Sequence, residues 1–217
     1  MSVPGVPSVT TLPGLLAARA ASAAPALRFG DAVLGYGELQ ARAHGAAAVA
    51  WHFWGVRPGD RVAWLGGNHP AQLELLFGLA QLGAMLLPLN FRLAPAEWEQ
   101  LLAQCRPRLL VHDAGWAQPA QALAARCALA AQPLAALEQG APPAPSHAAP
   151  EAGALLVFTS GTTGGPKAAV HTQANLLANM AIAAQVQQLR ASDLVLTVLP
   201  LFHVGGLCIQ TLPALFA

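Results

Sequence analysis

The chain has 217 residues, enough for one large or two small domains with a buried core, of which 55% are hydrophobic and only 10% charged. A formal net charge of +1 gives no basis for a nucleic-acid or acidic partner surface, and the three cysteines, Cys105, Cys127 and Cys208, lack the paired spacing of a disulfide framework or zinc site. The first basic residue is Arg19, so the amino-terminus carries no export signal, and a cytoplasmic protein is expected, with peripheral membrane contact left open.

In chain order, Leu12 to Ala21 is a short helix within a leader of about 25 residues. Ala26–Phe29 and Ala32–Leu34 flank Gly30-Asp31 as a hairpin. Tyr36, Leu39, Ala43, Ala46, Ala47, Ala50, Trp51 and Trp54 share one helix face that Gly55 closes, which makes both tryptophans core residues. Pro58-Gly59 turns into a strand at Arg61–Leu65, followed by a helix at Ala71–Leu82 and a strand at Met85–Leu89. A helix at Pro95–Gln104, a strand at Leu109–His112 and a helix at Ala117–Cys127 continue the alternation, which predicts an α/β fold: a doubly wound, parallel-rich sheet with flanking helices. Glu138–Pro150, rich in Pro and Ala, is a surface connection. From Leu194 to Ala217 there is no charged residue, long enough for a membrane span, but Pro200 would break it near its middle. A buried strand at Leu194–Leu199, a loop, and a buried helix from about Gly205 fit better.

The apolar run Ala154–Phe158 ends in Thr159-Ser160-Gly161-Thr162-Thr163-Gly164-Gly165-Pro166-Lys167, and a helix is expected from about Thr172. Glycines allow close backbone approach to an anion, and hydroxyls and one ammonium add donors, so a phosphate-handling loop between strand and helix is expected. Lys167 is the only lysine beside ten arginines, which suits a position needing a compact ammonium. A Walker A pattern fails because Pro166 stands where glycine is required, and the dinucleotide fingerprint fails after Gly161.

This segment resembles the signature loop of the acyl-adenylate-forming (AMP-binding) enzymes, a superfamily that includes acyl-CoA synthetases and peptide-synthetase adenylation domains. Gly55 to Ala63, Gly83 to Asn90 and Pro200 to Gly206 resemble further landmarks of the family in the same order, so that the likeness runs from about Ala26 onward. The resemblance implies ATP-dependent activation of a carboxylic acid as an acyl-adenylate and its transfer to a thiol. It implies that Thr159, Ser160, Gly161, Thr162, Thr163 and Gly164 bind the β- and γ-phosphates and that Lys167 neutralises the departing pyrophosphate. It places His203 beside the reacting carboxylate, with Phe202, Val204, Gly205 and Gly206 shaping the acyl pocket. Peptide-synthetase domains carry aspartate at the position of His203 and commonly at that of Asn90; neither is acidic here, which favours a fatty or aryl acid joined to CoA over an amino acid loaded on a carrier.

Two departures bear on the loop exit, Ala168 in place of glycine and Gln173 in place of histidine. The chain stops at Leu215-Phe216-Ala217, before the family's Tyr-Gly-x-Thr-Glu segment, ribose-binding aspartate and terminal lysine, so an amino-terminal part that is inactive alone is expected. No magnesium ligand is expected within it. A noncatalytic ATP-binding or interaction fragment and a phosphate-loop hydrolase or kinase remain as alternatives from other classes.

Overall fold

A computed structural model describes residues 9–159 and 166–217. Thr11 caps the first helix, α1 (Leu12–Arg19), its side chain accepting from the Gly14 N–H, and Leu12, Leu15 and Leu16 are buried. The hairpin β1 (Pro25–Phe29) and β2 (Ala32–Gly35) forms a separate two-stranded sheet. The helix α2 (Tyr36–His52) ends three residues before Gly55, whose φ of 64° carries the chain out of the helix. Trp54 is buried as expected, but Trp51 is only half-buried: Arg57 lies over its ring at 4.0 Å and His147 stacks on it.

The main sheet has the order β6-β5-β3-β4-β7-β8. It comprises β3 (Arg61–Leu65), β4 (Met85–Pro88), β5 (Leu109–His112), β6 (Ala130–Pro133), β7 (Gly153–Thr159) and β8 (Lys167–Thr172). All neighbours pair parallel except β7 with β8. The helices α3 (Pro70–Gln81), α4 (Pro95–Cys105) and α5 (Ala117–Arg126) cross between strands as the alternation predicted, with proline in the first turn of α3 and α4. Side-chain alternation builds two cores. Val62, Trp64, Leu86, Val111 and Leu155 pack with α1, α2 and α3, whereas Ala63, Leu65, Leu87, Leu110 and Leu156 pack with Trp98 and Leu101 of α4 and Leu123 of α5.

Every residue from Ala71 to Ala80 of α3 is buried. Such a helix needs apolar partners on all sides, and α2 supplies one by lying against Gly78, where a Cβ would stand 2.6 Å from the Ala43 carbonyl oxygen. Two polar side chains in this environment are satisfied at long range. Gln72 donates to Leu201 O at 3.0 Å, and Glu74 pairs with Arg42 at 3.5 Å, burial pushing its carboxyl above the usual range despite that guanidinium.

One strand was not anticipated: the half-exposed β6 (Ala130–Pro133) completes the sheet edge beside β5. Two sequence expectations are corrected. The strand β7 is not followed directly by a helix: the next described element is β8, antiparallel to it, and α6 (Gln173–Val186) starts only afterwards. Finally, Leu194–Leu199 is not a buried strand. Its alternation of Leu194, Leu196 and Val198 with Val195 and Thr197 is strand-like, yet these three are 74%, 79% and 72% exposed and no strand of the described residues pairs with it. The expected helix beyond it begins as a π-helical turn, Gly205–Thr211, continuing into α7 (Leu212–Phe216). Among the described residues no helix is long and apolar enough to cross a membrane.

Candidate functional site

Because β3 to β7 run parallel, their carboxyl ends share one edge of the sheet, the edge at which α/β proteins bind ligands. Three connections leave the sheet there, Gly66-Gly67-Asn68 after β3, Leu89-Asn90-Phe91 after β4 and Asp113 after β5, and β7 ends on the same edge at Thr159. The crevice between β3 and β5 is filled from within. Asp113 Oδ2 accepts from the Gly67 N–H at 2.8 Å, and a Cβ on Gly66 would lie 2.6 Å from the same oxygen. Asp113 Oδ1 also caps the following turn by accepting from the Trp116 N–H.

Thr159 and Lys167 face each other as the last pair of the β7–β8 ladder, and the Thr159 hydroxyl donates to Lys167 O at 3.4 Å. Both are exposed, so a hydroxyl and an ammonium stand at the mouth of the loop on the ligand edge. Ser160, Gly161, Thr162, Thr163 and Gly164 lie outside the described residues. The predicted help from a helix N-terminus drops out, since Thr172 spends its hydroxyl on the Asn175 N–H of α6 and the Asn175 side chain accepts from the Thr172 N–H.

Gln173 takes no part in the loop exit. It is fully buried, accepting from the Leu12 N–H at 2.9 Å and donating to Ala80 O at 2.8 Å, and so ties α1 to the end of α3.

The second group of predicted residues sits in the turn Pro200 to Gly206. The His203 N–H donates to Pro200 O at 3.1 Å, and the Gly205 N–H donates to His203 Nδ1 at 3.0 Å. With Nδ1 accepting, the neutral ring carries its proton on Nε2, and the imidazole is exposed. Phe202 meets Phe91, just past β4, edge to face with centroids 5.1 Å apart. Phe91 continues into Trp116 at 5.6 Å and Trp116 into Trp98 at 6.1 Å, while Trp98 Nε1 donates to Asn90 O. Val204 is half-buried, Gly205 and Gly206 are buried, and Gly206 lies against the carbonyls of Leu199 and Pro200 too closely for a side chain.

Sequence reasoning missed Asn68, Gln72 and Phe91. Asn68 and Gln72 hold the backbone of the His203 turn, and Phe91 holds Phe202. Only the position of Phe91, beside the motif ending at Asn90, could have signalled its part.

A cavity of about 470 Å³, lined by Arg28, Tyr36, His69, Leu196 and Leu215 among others, touches Asn68 and Leu201, but none of the predicted site residues borders it. Among the described residues no group of three or more His, Cys, Asp or Glu could hold a metal ion, so none is assigned to magnesium.

Residues 16–217 match the model of the AMP-binding enzyme family. The chain is 40% identical to a feruloyl-CoA synthase from Amycolatopsis over 204 residues, covering 91% of this chain and 40% of that protein. It is also 40% identical to the indoleacetate–CoA ligase of Aromatoleum aromaticum over 208 residues, 88% of this chain and 40% of that one. The o-succinylbenzoate CoA synthetase of Bacillus subtilis, solved with its acyl-adenylate intermediate, is similar in fold with a TM-score of 0.82 and 25% identity, over 93% of this chain and 53% of that structure. The chain thus spans about two fifths of the length of the curated relatives it matches.

Proposed function

Since the chain belongs to the AMP-binding enzyme family, we propose that it serves an ATP-dependent acid–CoA ligase, as part of the amino-terminal domain that handles ATP and the acid. The observation that carries this reading is the meeting, on one edge of a parallel sheet, of the Thr159–Lys167 loop mouth and the connections that hold the His203 turn.

In the proposed reaction a carboxylate oxygen of the acid attacks the α-phosphorus of ATP. The bond from that phosphorus to the bridging oxygen of the β-phosphate breaks, and pyrophosphate leaves. The thiol of CoA then attacks the acyl carbonyl, loses its proton and displaces AMP. Thr159, Ser160, Gly161, Thr162, Thr163 and Gly164 are proposed to hold the β- and γ-phosphates, and Lys167 to offset the charge gathering on pyrophosphate. Magnesium, when bound, would supply further neutralisation of the polyphosphate. His203 is proposed to border the carboxylate and the path of the thiol, with its Nε2–H available to donate to an oxygen. Phe202, Val204, Gly205 and Gly206 would shape the acyl pocket.

Within the fatty or aryl acids, an aryl acid is favoured. The three relatives at 40% identity are named for feruloyl or indoleacetate, both of which carry an aromatic ring, and Phe202 with Phe91 presents aromatic surface beside His203.

Acid-dependent exchange of pyrophosphate into ATP by the whole protein tests this proposal. An aryl acid should promote exchange, Lys167→Ala should slow it, and His203→Ala should alter the acid KM or the CoA-dependent step. ATP hydrolysis that ignores the acid would instead support a phosphate-loop hydrolase, and exchange unchanged by Lys167→Ala would remove that residue from the mechanism.

A further inference from the structure

The turn that presents Phe202 and His203 is not held by its own segment alone. Its backbone is gripped by two side chains more than a hundred residues earlier in the chain, Asn68 from the connection between β3 and α3 and Gln72 from the first turn of α3. The Asn68 carboxamide works on both sides at once: Oδ1 accepts from the Leu201 N–H at 2.8 Å, and Nδ2 donates to Leu199 O at 3.0 Å. A carboxamide used this way imitates a neighbouring β-strand, taking the C=O and the N–H that flank one residue. The flanked residue is Pro200, whose own carbonyl accepts from the His203 N–H. In the first turn of α3, Gln72 Nε2 donates to Leu201 O at 3.0 Å from a side chain that is 1% exposed. The grip itself is anchored, because the Gly67 N–H preceding Asn68 is held by Asp113.

From this geometry we infer that Asn68, supported by Gln72, is a positioning residue for His203 and Phe202, fixing where the imidazole stands relative to the carboxyl edge of the sheet. The inference rests on the reading of His203 given above. Asn68 touches backbone and not the imidazole, so its effect reaches the reaction only through the turn. Asparagine suits the task and aspartate does not. A carboxylate could still accept from the Leu201 N–H, but it would set a second oxygen against Leu199 O.

A double-mutant cycle on the whole protein tests this, using acid-dependent pyrophosphate exchange with separate KM values for acid and ATP. Asn68→Ala should raise the acid KM about tenfold, within the range of coupling seen between residues of one network, and leave the ATP KM within about twofold. A purely structural role would instead lower kcat by reducing the folded fraction and leave both KM values alone. In a His203→Ala background the effect of Asn68→Ala on acid KM should shrink to under about twofold. Asn68→Asp should behave like Asn68→Ala at neutral pH and recover at low pH, where the protonated carboxyl can donate to Leu199 O.

Acid KM unchanged by Asn68→Ala, or raised equally in both backgrounds, would overturn the inference. If His203→Ala itself leaves acid binding and the thioester step untouched, the reading of His203 fails instead. The grip is then judged by NMR of the His203 imidazole, where displacement of the ring nitrogen signals by Asn68→Ala supports it and unchanged signals refute it.

Discussion

Gly206→Ala tests most sharply how the backbone of the candidate site is held. The Gly206 Cα packs against the two residues that begin the His203 turn, so an added methyl would sit 2.5 Å from Leu199 O and 2.8 Å from the Pro200 carbonyl carbon. Ordinary contact begins at 3.4 Å, so relieving the first of these requires about 0.9 Å of backbone movement. Neither side yields readily. Asn68 holds Leu199 O, and Thr211 donates to Gly206 O at 2.8 Å. Overpacking of this kind costs about 1–3 kcal/mol of stability. A displacement near 1 Å in groups that orient a substrate costs roughly 100-fold in rate. Denaturant unfolding and acid-dependent pyrophosphate exchange should therefore both report the change, with kcat/KM for the acid falling more than ATP binding. Gly205→Ala is the comparison for stability alone, because its methyl would meet the side chains of His203 and Leu199 at 3.3 Å, which can shift without moving backbone, although moving His203 would itself alter exchange. A Gly206→Ala protein with wild-type stability and wild-type exchange would refute this account of the turn.

Two glycines in the first helical layer should respond in opposite directions. Gly78→Ala would press on the backbone of α2 at Ala43 and Ala47 and should destabilise by about 1–3 kcal/mol, whereas Gly45→Ala, with nothing within 4 Å of the new methyl and a mid-helix position, should stabilise by about 0.5–1 kcal/mol. Chemical denaturation of each variant checks both signs. Burial pushes the Cys208 thiol up to about 11 from an ordinary 9.0. The folded state then binds this proton more tightly than the unfolded chain, so its contribution is complete below about pH 9 and is lost as pH rises through about 11. The loss is about 3 kcal/mol, measurable as the difference in alkaline stability between wild type and Cys208→Ala. Equal alkaline slopes for the two proteins would contradict the burial of that thiol.

Local pattern was sufficient for the parallel core. Arg61–Leu65, Met85–Pro88 and Leu109–His112 are apolar runs bounded by turn residues, and proline at the first turn of α3 and α4 marks where each helix begins. The segments Thr159 to Lys167 and Pro200 to Gly206 stood out in the sequence for their hydroxyls, glycines, solitary lysine and histidine, and the roles given to them are those proposed above. β8 was not legible. At an edge, flanked by β7 alone, Lys167–Thr172 needs no continuous apolar face, so its half-exposed pattern carries no periodicity to read. Leu194–Leu199 failed in the opposite direction, since its alternation expresses a strand preference while burial depends on a partner strand that only tertiary structure can supply.

The sequence by itself determined the parallel strands β3, β4 and β5, the helices between them and which residue types gather in the two motifs, because those features depend on neighbours within a few positions, whereas β6, β8 and the unpaired Leu194–Leu199 depended on which strands lie beside them. Only the tertiary structure decided that Asn68 and Gln72 grip the turn of His203 and that Phe91 meets Phe202. The physical reason is that any asparagine or glutamine can bond any backbone amide. Which one it bonds is settled when the sheet brings the end of β3 against a turn 129 to 133 residues further along the chain.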